Sequence, residues 1–341
     1  MTSRERISAI FAKGQPDRVG FWTGNPHSDT MPGYLAQLGL ESREQFYEYL
    51  GDDCRWIPAD AGYKHPEGIP AFNPIPNLKG AFDCTIMAPV PGRFAECESL
   101  AEVEAHDWPD PDHLDFTDVI HQIKSHPERA VFAGMWTCFF HVVADYFGMD
   151  NYFVKMYTHP EIVDAVTDHV VGFYAEANER FFREVGEAAD IMFLGNDFGT
   201  QLSLFISREL FSRFVLPGFK RNIEIGKKYG KFVLLHSCGA IRDVIPLLVD
   251  VGIDGLHPLQ ALAVGMDADT LAREFRGKLA FVGGVDTQQL LIHGSPAQIR
   301  DEVRRLKDRF GPHYIVSPSH EAILPNVPLD NVIAMAEAAK E

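Results

Sequence analysis

The sequence predicts a single (β/α)8 barrel, and two observations support this prediction. Along 341 residues, short apolar segments alternate with longer segments that carry apolar residues at helical spacing. Strands that alternate with helices form parallel sheets, and up to eight such units in a chain of this length suit a closed barrel. The main competitor, a doubly wound sheet, lacks its usual signature because no Gly-x-Gly-x-x-Gly motif follows a predicted strand. The whole chain, residues 1–341, is therefore expected to form one domain.

The strands of this barrel are predicted from apolar runs that are bounded by glycine, proline or polar residues. Seven runs are clear and one, near residues 55–59, is weaker. In chain order they are Val19–Trp22, Arg55–Ala59 (the weaker run), Ala130–Met135, Ile191–Gly195, Phe232–Leu235, Gly255–Leu256, Leu279–Val282 and Tyr314–Val316.

The helices between these strands are predicted from caps and periodicity. Ser295 followed by Pro296 is typical of a helix start. Pro160–Val185 repeats valine at helical spacing, and Pro328–Lys340 forms the last helix. By contrast, Gly62–Cys97 is rich in proline and glycine and has no clear periodicity. We expect it to form an excursion over the barrel mouth that acts as a lid or a substrate-binding insertion.

Charge and cysteine content narrow the class of protein. A formal net charge of −17 and a pI near 5.2 disfavour binding to nucleic acid or to an anionic membrane. Five scattered cysteines, with no Cys-x-x-Cys pair, predict free thiols rather than a disulfide framework. The sequence has no signal-peptide core and no apolar run long enough to cross a membrane. It therefore predicts a soluble, cytoplasmic protein.

Polar residues recur where the predicted strands end, and the active sites of (β/α)8 barrels lie at that end. Each residue has an ordinary structural explanation when taken singly, since a lone aspartate after a strand commonly caps the next helix. Their number nevertheless predicts a functional site. The candidate catalytic residues are Asp197, Asp286 and His27, and the candidate substrate-binding residues are Trp22, Asn25, Trp136, His257 and Gln260.

The stretch LLHSCG at 234–239 indicates part of a metal site. Residues two apart on a strand project from the same face, so His236 and Cys238 would lie together where the fifth strand ends. Both residue types are good zinc ligands, although a buried cysteine is also common in protein cores. A site needs a third ligand. His320, at the end of the eighth strand, is the best candidate, with Glu321 and Asp197 as alternatives.

Five stretches, all of them in the second half of the chain, share their order and spacing with a known family. They are NDFGTQLSLFISRELFSRFVLPGFKR, LLHSCG, GLHPLQ, LAFVGGVDTQ and SPSHEAILPNVP. Together they resemble the uroporphyrinogen decarboxylase superfamily, and the resemblance covers most of the chain. It implies a (β/α)8 barrel with its active site at the C-terminal mouth, and it suggests a homodimer.

Two chemistries occur in the superfamily that this sequence resembles. Uroporphyrinogen decarboxylases are cofactor-free lyases that hold a polyanionic tetrapyrrole with arginines, some of them in a segment after the first strand. The corresponding stretch here, Trp22–Leu35, contains no arginine and would hold such a substrate poorly. The other branch contains zinc-dependent, corrinoid-linked methyltransferases that use a His-x-Cys pair and a later cysteine. His236 and Cys238 match the pair, and Ser319-His320 stands where the later cysteine is expected.

The leading hypothesis is therefore zinc-dependent methyl transfer between methylcobalamin on a corrinoid carrier protein and a small-molecule thiol or methyl ether. Zinc would be held by His236, Cys238 and His320, and Asp197 would orient a ligand. The alternative is a decarboxylase acting on a tetrapyrrole or another aromatic acid. It needs no zinc but requires a carboxylate, Asp197 or Asp286, to stabilise a cationic ring. A barrel that binds a ligand without turnover is the second alternative.

Overall fold

Eight parallel strands form one continuous sheet in the computed structural model, which describes residues 1–75 and 90–341. Neighbouring strands follow the order β1-β8-β7-β6-β5-β4-β3-β2, and helices surround them, which confirms the prediction of a (β/α)8 barrel. The strands are β1 (Gly20–Phe21), β2 (Cys54–Trp56), β3 (Ala130–Ala133), β4 (Ile191–Gly195), β5 (Phe232–His236), β6 (Gly255–His257), β7 (Ala280–Val285) and β8 (Tyr314–Pro318).

The helices include the three that were predicted from caps and periodicity. The helix at Pro296 begins with a full capping box, in which Ser295 and Gln298 each accept the backbone N–H of the other. In chain order the α-helices are α1 (Ser3–Phe11), α2 (Met31–Leu38), α3 (Arg43–Leu50), α4 (Leu100–Glu104), α5 (Thr117–Lys124), α6 (Phe139–Phe147), α7 (Met149–Thr158), α8 (Pro160–Val185), α9 (Arg208–Leu210), α10 (Leu216–Lys228), α11 (Ile245–Asp250), α12 (Ala268–Phe275), α13 (Leu290–His293), α14 (Pro296–Phe310) and α15 (Leu329–Lys340).

Four strands, β5 to β8, end later than the sequence predicts, and for β5 and β6 this matters for the site. β5 ends at His236 and β6 ends at His257, so both histidines belong to the sheet instead of following it. The two residues are also partners in the β5–β6 ladder. An apolar-run criterion stops one residue too early here because it cannot recognise a histidine that is buried at a strand end.

Aromatic rings fill the space inside the strands. Trp22 packs edge-on against Phe132 and Phe193, with ring centroids 5.1 and 5.9 Å apart. The rings of Trp56 and Trp136 lie 5.0 Å apart beside Phe193. Because these rings come from the first four strands and the segments that follow them, they form an apolar floor beneath the mouth of the barrel.

Buried or partly buried carboxylates tie the N-terminal ends of the strands together. Asp53, just before β2, accepts the N–H of Phe21 and forms ion pairs with Arg6 at 2.8 Å and Arg18 at 2.9 Å. Asp190, just before β4, accepts the N–H of Val131, and Asp254, just before β6, accepts the N–H of Val233. They pair with Arg4 and Lys227, respectively. Each of these aspartates therefore links its own strand to the preceding strand at the bottom of the barrel.

The junction between β1 and β2 differs from the other seven. Among the described residues, ladder pairing connects the neighbouring strands at all seven other junctions, but none joins β1 to β2. Here the N–H of Asp53 donates to the carbonyl of Phe21, while the carboxylates of Asp53 and Asp52 accept the N–H groups of Phe21 and Thr23. Side chains thus complete the closure of the barrel.

The Gly62–Cys97 excursion is described only at its two flanks, and its middle, residues 76–89, lies outside the described residues. The second flank packs against α6, where the N–H of Phe94 donates to the carbonyl of Tyr146 at 2.6 Å and the two rings stack. The expectation of a lid or substrate-binding insertion therefore stays a prediction.

Two further findings bear on the sequence-based class of protein. No helix in the described ranges is both long and apolar enough to span a membrane. Cys54, Cys97 and Cys238 are free thiols, but Cys138 is disulfide-bonded, so the expectation that all cysteines are free is wrong at this position. Spacing along a sequence does not report the distance between two cysteines in the fold, which is what decides whether they can pair.

Candidate functional site

The centre of the site is a pair of histidines on adjacent strands. His236 ends β5 and His257 ends β6, and because the two residues are ladder partners their side chains lie next to each other. Their Nδ1 atoms are 2.9 Å apart, which fits a hydrogen bond between the rings. Both side chains are almost completely buried, against Trp136 and Phe193 for His236 and against Trp22 and Phe193 for His257.

Cys238 lies next to His236, as the two-residue spacing predicts. It contacts the Nε2 side of the His236 ring, whereas His257 contacts the Nδ1 side. Sγ of Cys238 is 3.6 Å from Nε2 of His236. The next residue, Gly239, has a φ of +88°, and a Cβ there would lie 2.1 Å from the carbonyl oxygen of Gly199. Only glycine fits this close approach of two backbones. The glycine of the LLHSCG stretch therefore lets the loop after β4 close over the cysteine.

Asp197 arrives at the cluster on that loop. Its Oδ1 accepts the N–H of Cys238 at 2.7 Å and lies 3.3 Å from Nε2 of His236. Its own N–H donates at 3.1 Å to Nε2 of His141, a buried residue on α6. Burial favours the neutral carboxyl, but the hydrogen bond and charge of His236 outweigh it and hold the pKa of Asp197 well below its usual range.

Glu321 approaches the opposite face of His236. Its Oε2 is 3.5 Å from Nδ1 of His236, and it is a buried atom that has no hydrogen-bond partner. Nε2 of His257 is likewise buried without a partner. Unpaired buried polar atoms are costly, and within the described chain these two lie at the same mouth. Such atoms are typical of a site that is completed by a bound group.

The environment sets distinct protonation states for the three central residues. Burial raises the pKa of the Cys238 thiol to about 11. Burial lowers the pKa of His236, but Glu321, Cys238 and Asp197 outweigh it and raise that pKa well above its ordinary value. Burial and the neighbouring His236 lower the pKa of His257 well below its ordinary value. Without a bound group, His236 is therefore the charged ring and donates from Nδ1 to the neutral His257.

Two sets of atoms could hold a metal ion, and His236 belongs to both. One set is Asp197, His236 and Cys238, and the other is His236, His257 and Glu321. Around a tetrahedral zinc, with bonds of about 2.0–2.2 Å to N or O and about 2.3 Å to S, neighbouring ligand atoms lie about 3.3–3.6 Å apart. The separations of 3.3 Å and 3.6 Å in the first set match these values. The 2.9 Å between the two histidines is too short for such an edge and fits the hydrogen bond instead.

His320, the third ligand in the sequence-based hypothesis, belongs to neither set. Its ring centroid is 6.3 Å from that of His236, and its Nδ1 accepts the N–H of Ala322. The strand register explains the difference, because β8 ends at Pro318 and the chain has already turned before His320. The structure brings Asp197, named in the sequence analysis as an alternative ligand, to the position next to the pair.

Two of the three candidate catalytic residues lie apart from the cluster. The carboxylate of Asp286 accepts the N–H groups of Gln288, Gln289 and Leu290, so it acts as the cap that the sequence left as its ordinary explanation. His27 is exposed on the loop after β1, where its Nδ1 accepts the N–H of Asp29.

The candidate substrate-binding residues divide into two groups. Trp136 and His257 contact His236 directly, and Gln260 supports the cluster because its Oε1 accepts the N–H of Gly239 at 2.8 Å. Trp22 and Asn25 line a separate cavity of about 340 Å³ beside the ends of β1 and β2. Trp22 also contacts His257, so its ring separates this cavity from the histidine pair.

Sequence reasoning missed three residues near the mouth. Asp60 follows β2, accepts the N–H of Trp136, and has a pKa that burial raises to about 6. It was missed because β2 gave only a weak signal. His141 lies inside a helix, where a histidine carries no motif, and Arg43 reaches Asn25 from α3. Only the tertiary fold brings these last two residues to the strand ends.

Comparisons with known proteins identify the family of this chain. The family model for uroporphyrinogen decarboxylase (URO-D) matches residues 88–341. A uroporphyrinogen decarboxylase of Chlorobium limicola is 26% identical over 216 residues, 60% of this chain and 57% of the relative. A methylcobamide:CoM methyltransferase of Methanosarcina acetivorans is 23% identical over 200 residues, 58% of this chain and 55% of the relative. The matched region thus spans little more than half the length of these relatives.

A solved structure supports the fold over the whole chain. A methyltransferase from Methanosarcina mazei superposes with a TM-score of 0.68 at 17% identity, covering 100% of this chain and 98% of the other. At that identity the likeness concerns the fold alone. Both decarboxylases and methyltransferases are thus among its relatives, which confirms the resemblance seen in the sequence. Since the family model matches well over half of the chain, the protein belongs to the uroporphyrinogen decarboxylase family.

Proposed function

We propose that this protein is a zinc-dependent methyltransferase that moves a methyl group between a corrinoid on a partner protein and a small-molecule thiol or methyl ether. The observation that carries the proposal is that Nε2 of His236 lies 3.3 Å from Oδ1 of Asp197 and 3.6 Å from Sγ of Cys238, two separations that match edges of a tetrahedral zinc site. The similarity to the methylcobamide:CoM methyltransferase of Methanosarcina acetivorans supports the same function.

The donor set fits a catalytic zinc. Nitrogen, sulfur and carboxylate ligands are those zinc prefers, and three protein ligands leave a fourth position for substrate. Bound there, zinc supplies Lewis acidity that lowers the pKa of a substrate thiol. Asp197 therefore replaces His320 in the proposed ligand set.

The surrounding residues hold the proposed ligands in place. His257 accepts the Nδ1–H of His236, which leaves Nε2 of His236 as the ligand atom. The N–H of Cys238 donates to Asp197, and His141 accepts the N–H of Asp197, so these two contacts fix the loop that carries the carboxylate. Trp136 and Phe193 cover the His236 ring and exclude water from that side.

Glu321 and His320 lie at the open side of the cluster. Oε2 of Glu321 is 3.7 Å from Nδ1 of His320, and the imidazole is partly exposed. In the proposed reaction Glu321 accepts the proton that a thiol substrate loses on binding, and His320 passes it to solvent. Both roles use groups that already have the required donors and acceptors.

The test is the zinc content of protein purified without added metal or a metal-binding tag. We expect about one zinc per chain in the wild type, none in His236→Ala or Cys238→Ser, and wild-type content in the matched variant His320→Ala. Methyl transfer from methylcobalamin to a thiol should then follow zinc content. Well-folded wild-type protein that neither contains nor takes up zinc would overturn the proposal.

Decarboxylation of a tetrapyrrole or another aromatic acid is the second candidate, because curated decarboxylases are among the relatives. Asp197 would then stabilise the cationic ring instead of holding a metal. The same zinc measurement separates the two functions. A metal-free enzyme that releases carbon dioxide from such an acid, and stops doing so in Asp197→Asn, would support the decarboxylase.

A further inference from the structure

A cavity outside the histidine cluster carries a charge that the proposed chemistry does not use. It lies between α3, residues 122–126 at the end of α5, and the C-terminal ends of β1 and β2, and its volume is about 340 Å³. This is within the range of small-molecule sites. Its walls combine the apolar residues Trp22, Trp56 and Ile57 with polar groups at one side.

Arg43 is the unpaired charge of this cavity. The other two charged residues of the lining, Arg55 and Glu44, neutralise each other through a forked ion pair with N–O distances of 2.5 to 3.2 Å. Burial lowers the pKa of the adjacent His126, which is therefore neutral at pH 7. No carboxylate among the described residues pairs with Arg43, so the lining has a net charge of one positive on a chain with a net charge of −17.

Neutral groups hold Arg43 in position. Its Nη1 donates to Oδ1 of Asn25 at 2.6 Å and lies 3.5 Å from the hydroxyl of Tyr47. The ring of Tyr47 is in turn held under Arg55, 5.0 Å from its guanidinium. Arg43 is partly exposed, and because its described hydrogen bonds use only Nη1, most of its five N–H donors can face a ligand. A fixed guanidinium beside an apolar wall recognises a planar carboxylate with an apolar body.

We propose that this cavity binds a small organic monocarboxylate, with Arg43 and Asn25 as its polar contacts and the indoles of β1 and β2 beside its apolar part. The inference stands apart from methyl transfer because it uses none of the proposed zinc ligands. The cavity and the cluster are nevertheless neighbours, since the N–H of Asn25 donates to the carbonyl of Glu321 and Trp22 contacts His257.

The test is calorimetric titration of the full chain with benzoate, phenylacetate and 3-phenylpropionate, each beside its amide. We expect at least one acid to bind at one site per chain and its amide to bind at least tenfold more weakly. Arg43→Gln should weaken the acid at least tenfold, and Arg43→Lys should weaken it less because the charge is kept. The matched control Arg300→Gln, on the outer helix α14, should bind as the wild type does.

Two results would overturn this inference. One is the absence of saturable binding for all three acids to wild-type protein. The other is equal affinity in Arg43→Gln and wild type, especially if His236→Ala then abolishes binding, which would place the acid at the histidine cluster. A melting temperature of Arg43→Gln close to that of the wild type ensures that a loss of binding is not a loss of folding.

Discussion

The two ends of the barrel use buried and partly buried carboxylates in opposite ways. At the N-terminal end, Asp53 binds two arginines and a backbone N–H, and Asp190 and Asp254 each bind one cation and one backbone N–H. At the C-terminal end, Oε2 of Glu321 has no hydrogen-bond partner, and Asp197 faces a thiol and a histidine. The residue types are similar, but one set is complete within the chain and the other is not.

This difference separates stability from function in physical terms. A buried carboxylate whose partners all belong to the protein holds strands together, and removing it leaves cations without partners. A buried carboxylate with an unsatisfied oxygen destabilises the isolated protein, and binding of a ligand that supplies the missing partner removes this destabilisation. The first set should therefore control unfolding, and the second should control binding.

The largest effect is expected at the N-terminal end. Asp53→Ala removes the buried acceptor that Arg6, Arg18 and the N–H of Phe21 share, and we expect the free energy of unfolding to fall by about 3–5 kcal/mol. Denaturant unfolding measures this loss. Asp17→Ala removes another partner of Arg6, but one that is largely exposed, and should cost less than about 1 kcal/mol. Equal losses in the two variants would contradict the distinction.

Zinc binding should strengthen steeply as pH rises. The pKa of Cys238 is about 11 and that of His236 is well above its ordinary value, so both carry protons at pH 6–8 and must lose them to become ligands. Release of one proton lowers the Kd for zinc about tenfold per pH unit, and release of two lowers it about a hundredfold. Titrations at three pH values, in buffers of different ionisation enthalpy, count the protons. Affinity independent of pH would contradict this assignment.

Replacing the carboxylate at the mouth should affect binding and leave stability nearly unchanged. Asp197→Asn keeps an acceptor for the N–H of Cys238 but removes the charge, and we expect zinc affinity to fall at least 10- to 100-fold. The free energy of unfolding should change by less than about 1 kcal/mol. Glu321→Gln is the informative comparison. If that variant lost zinc while Asp197→Asn kept it, the metal would belong to the other face of His236.

The smallest effect is expected far from both ends. Ser295→Ala removes one half of the capping box of α14 and should lower the free energy of unfolding by about 1 kcal/mol. Because Ser295 touches neither carboxylate set, its effect should add to that of Asp53→Ala and leave zinc affinity unchanged. A combined loss that departs from the sum would show that the helix cap and the strand ends are coupled.

The sequence predicts the barrel well because its strands and helices differ in local pattern. Each of the eight apolar runs overlaps a strand, and the valine periodicity of Pro160–Val185 marks a helix with the same bounds. The His236–Cys238 pair is equally local, because the two residues are only two apart at the end of β5 and their Nε2 and Sγ atoms lie 3.6 Å apart. These features need no knowledge of the rest of the fold.

The features of the site that the sequence did not predict depend on how the loops turn after each strand. Residue counting favours His320 as the third ligand, but the backbone turns after Pro318, and the loop after β4 carries Asp197 to the cluster instead. Asp286 looks the same as Asp197 in sequence, each following a strand, yet three backbone N–H groups occupy its oxygens. Only the positions of these loops distinguish the aspartate that caps a helix from the aspartate that lies beside His236 and Cys238.

At the junction of β1 and β2, side chains close the ring of strands where a ladder joins the strands elsewhere. Ladder hydrogen bonds hold neighbouring strands together at seven junctions. At the eighth, two aspartate side chains and a single backbone hydrogen bond hold them together. The proposed monocarboxylate cavity lies at the C-terminal end of this junction. A change in the two flanking strands can therefore alter the size of the cavity without breaking a ladder. The β1–β2 junction is thus the place where this barrel can accommodate a new ligand with the least loss of ladder hydrogen bonds.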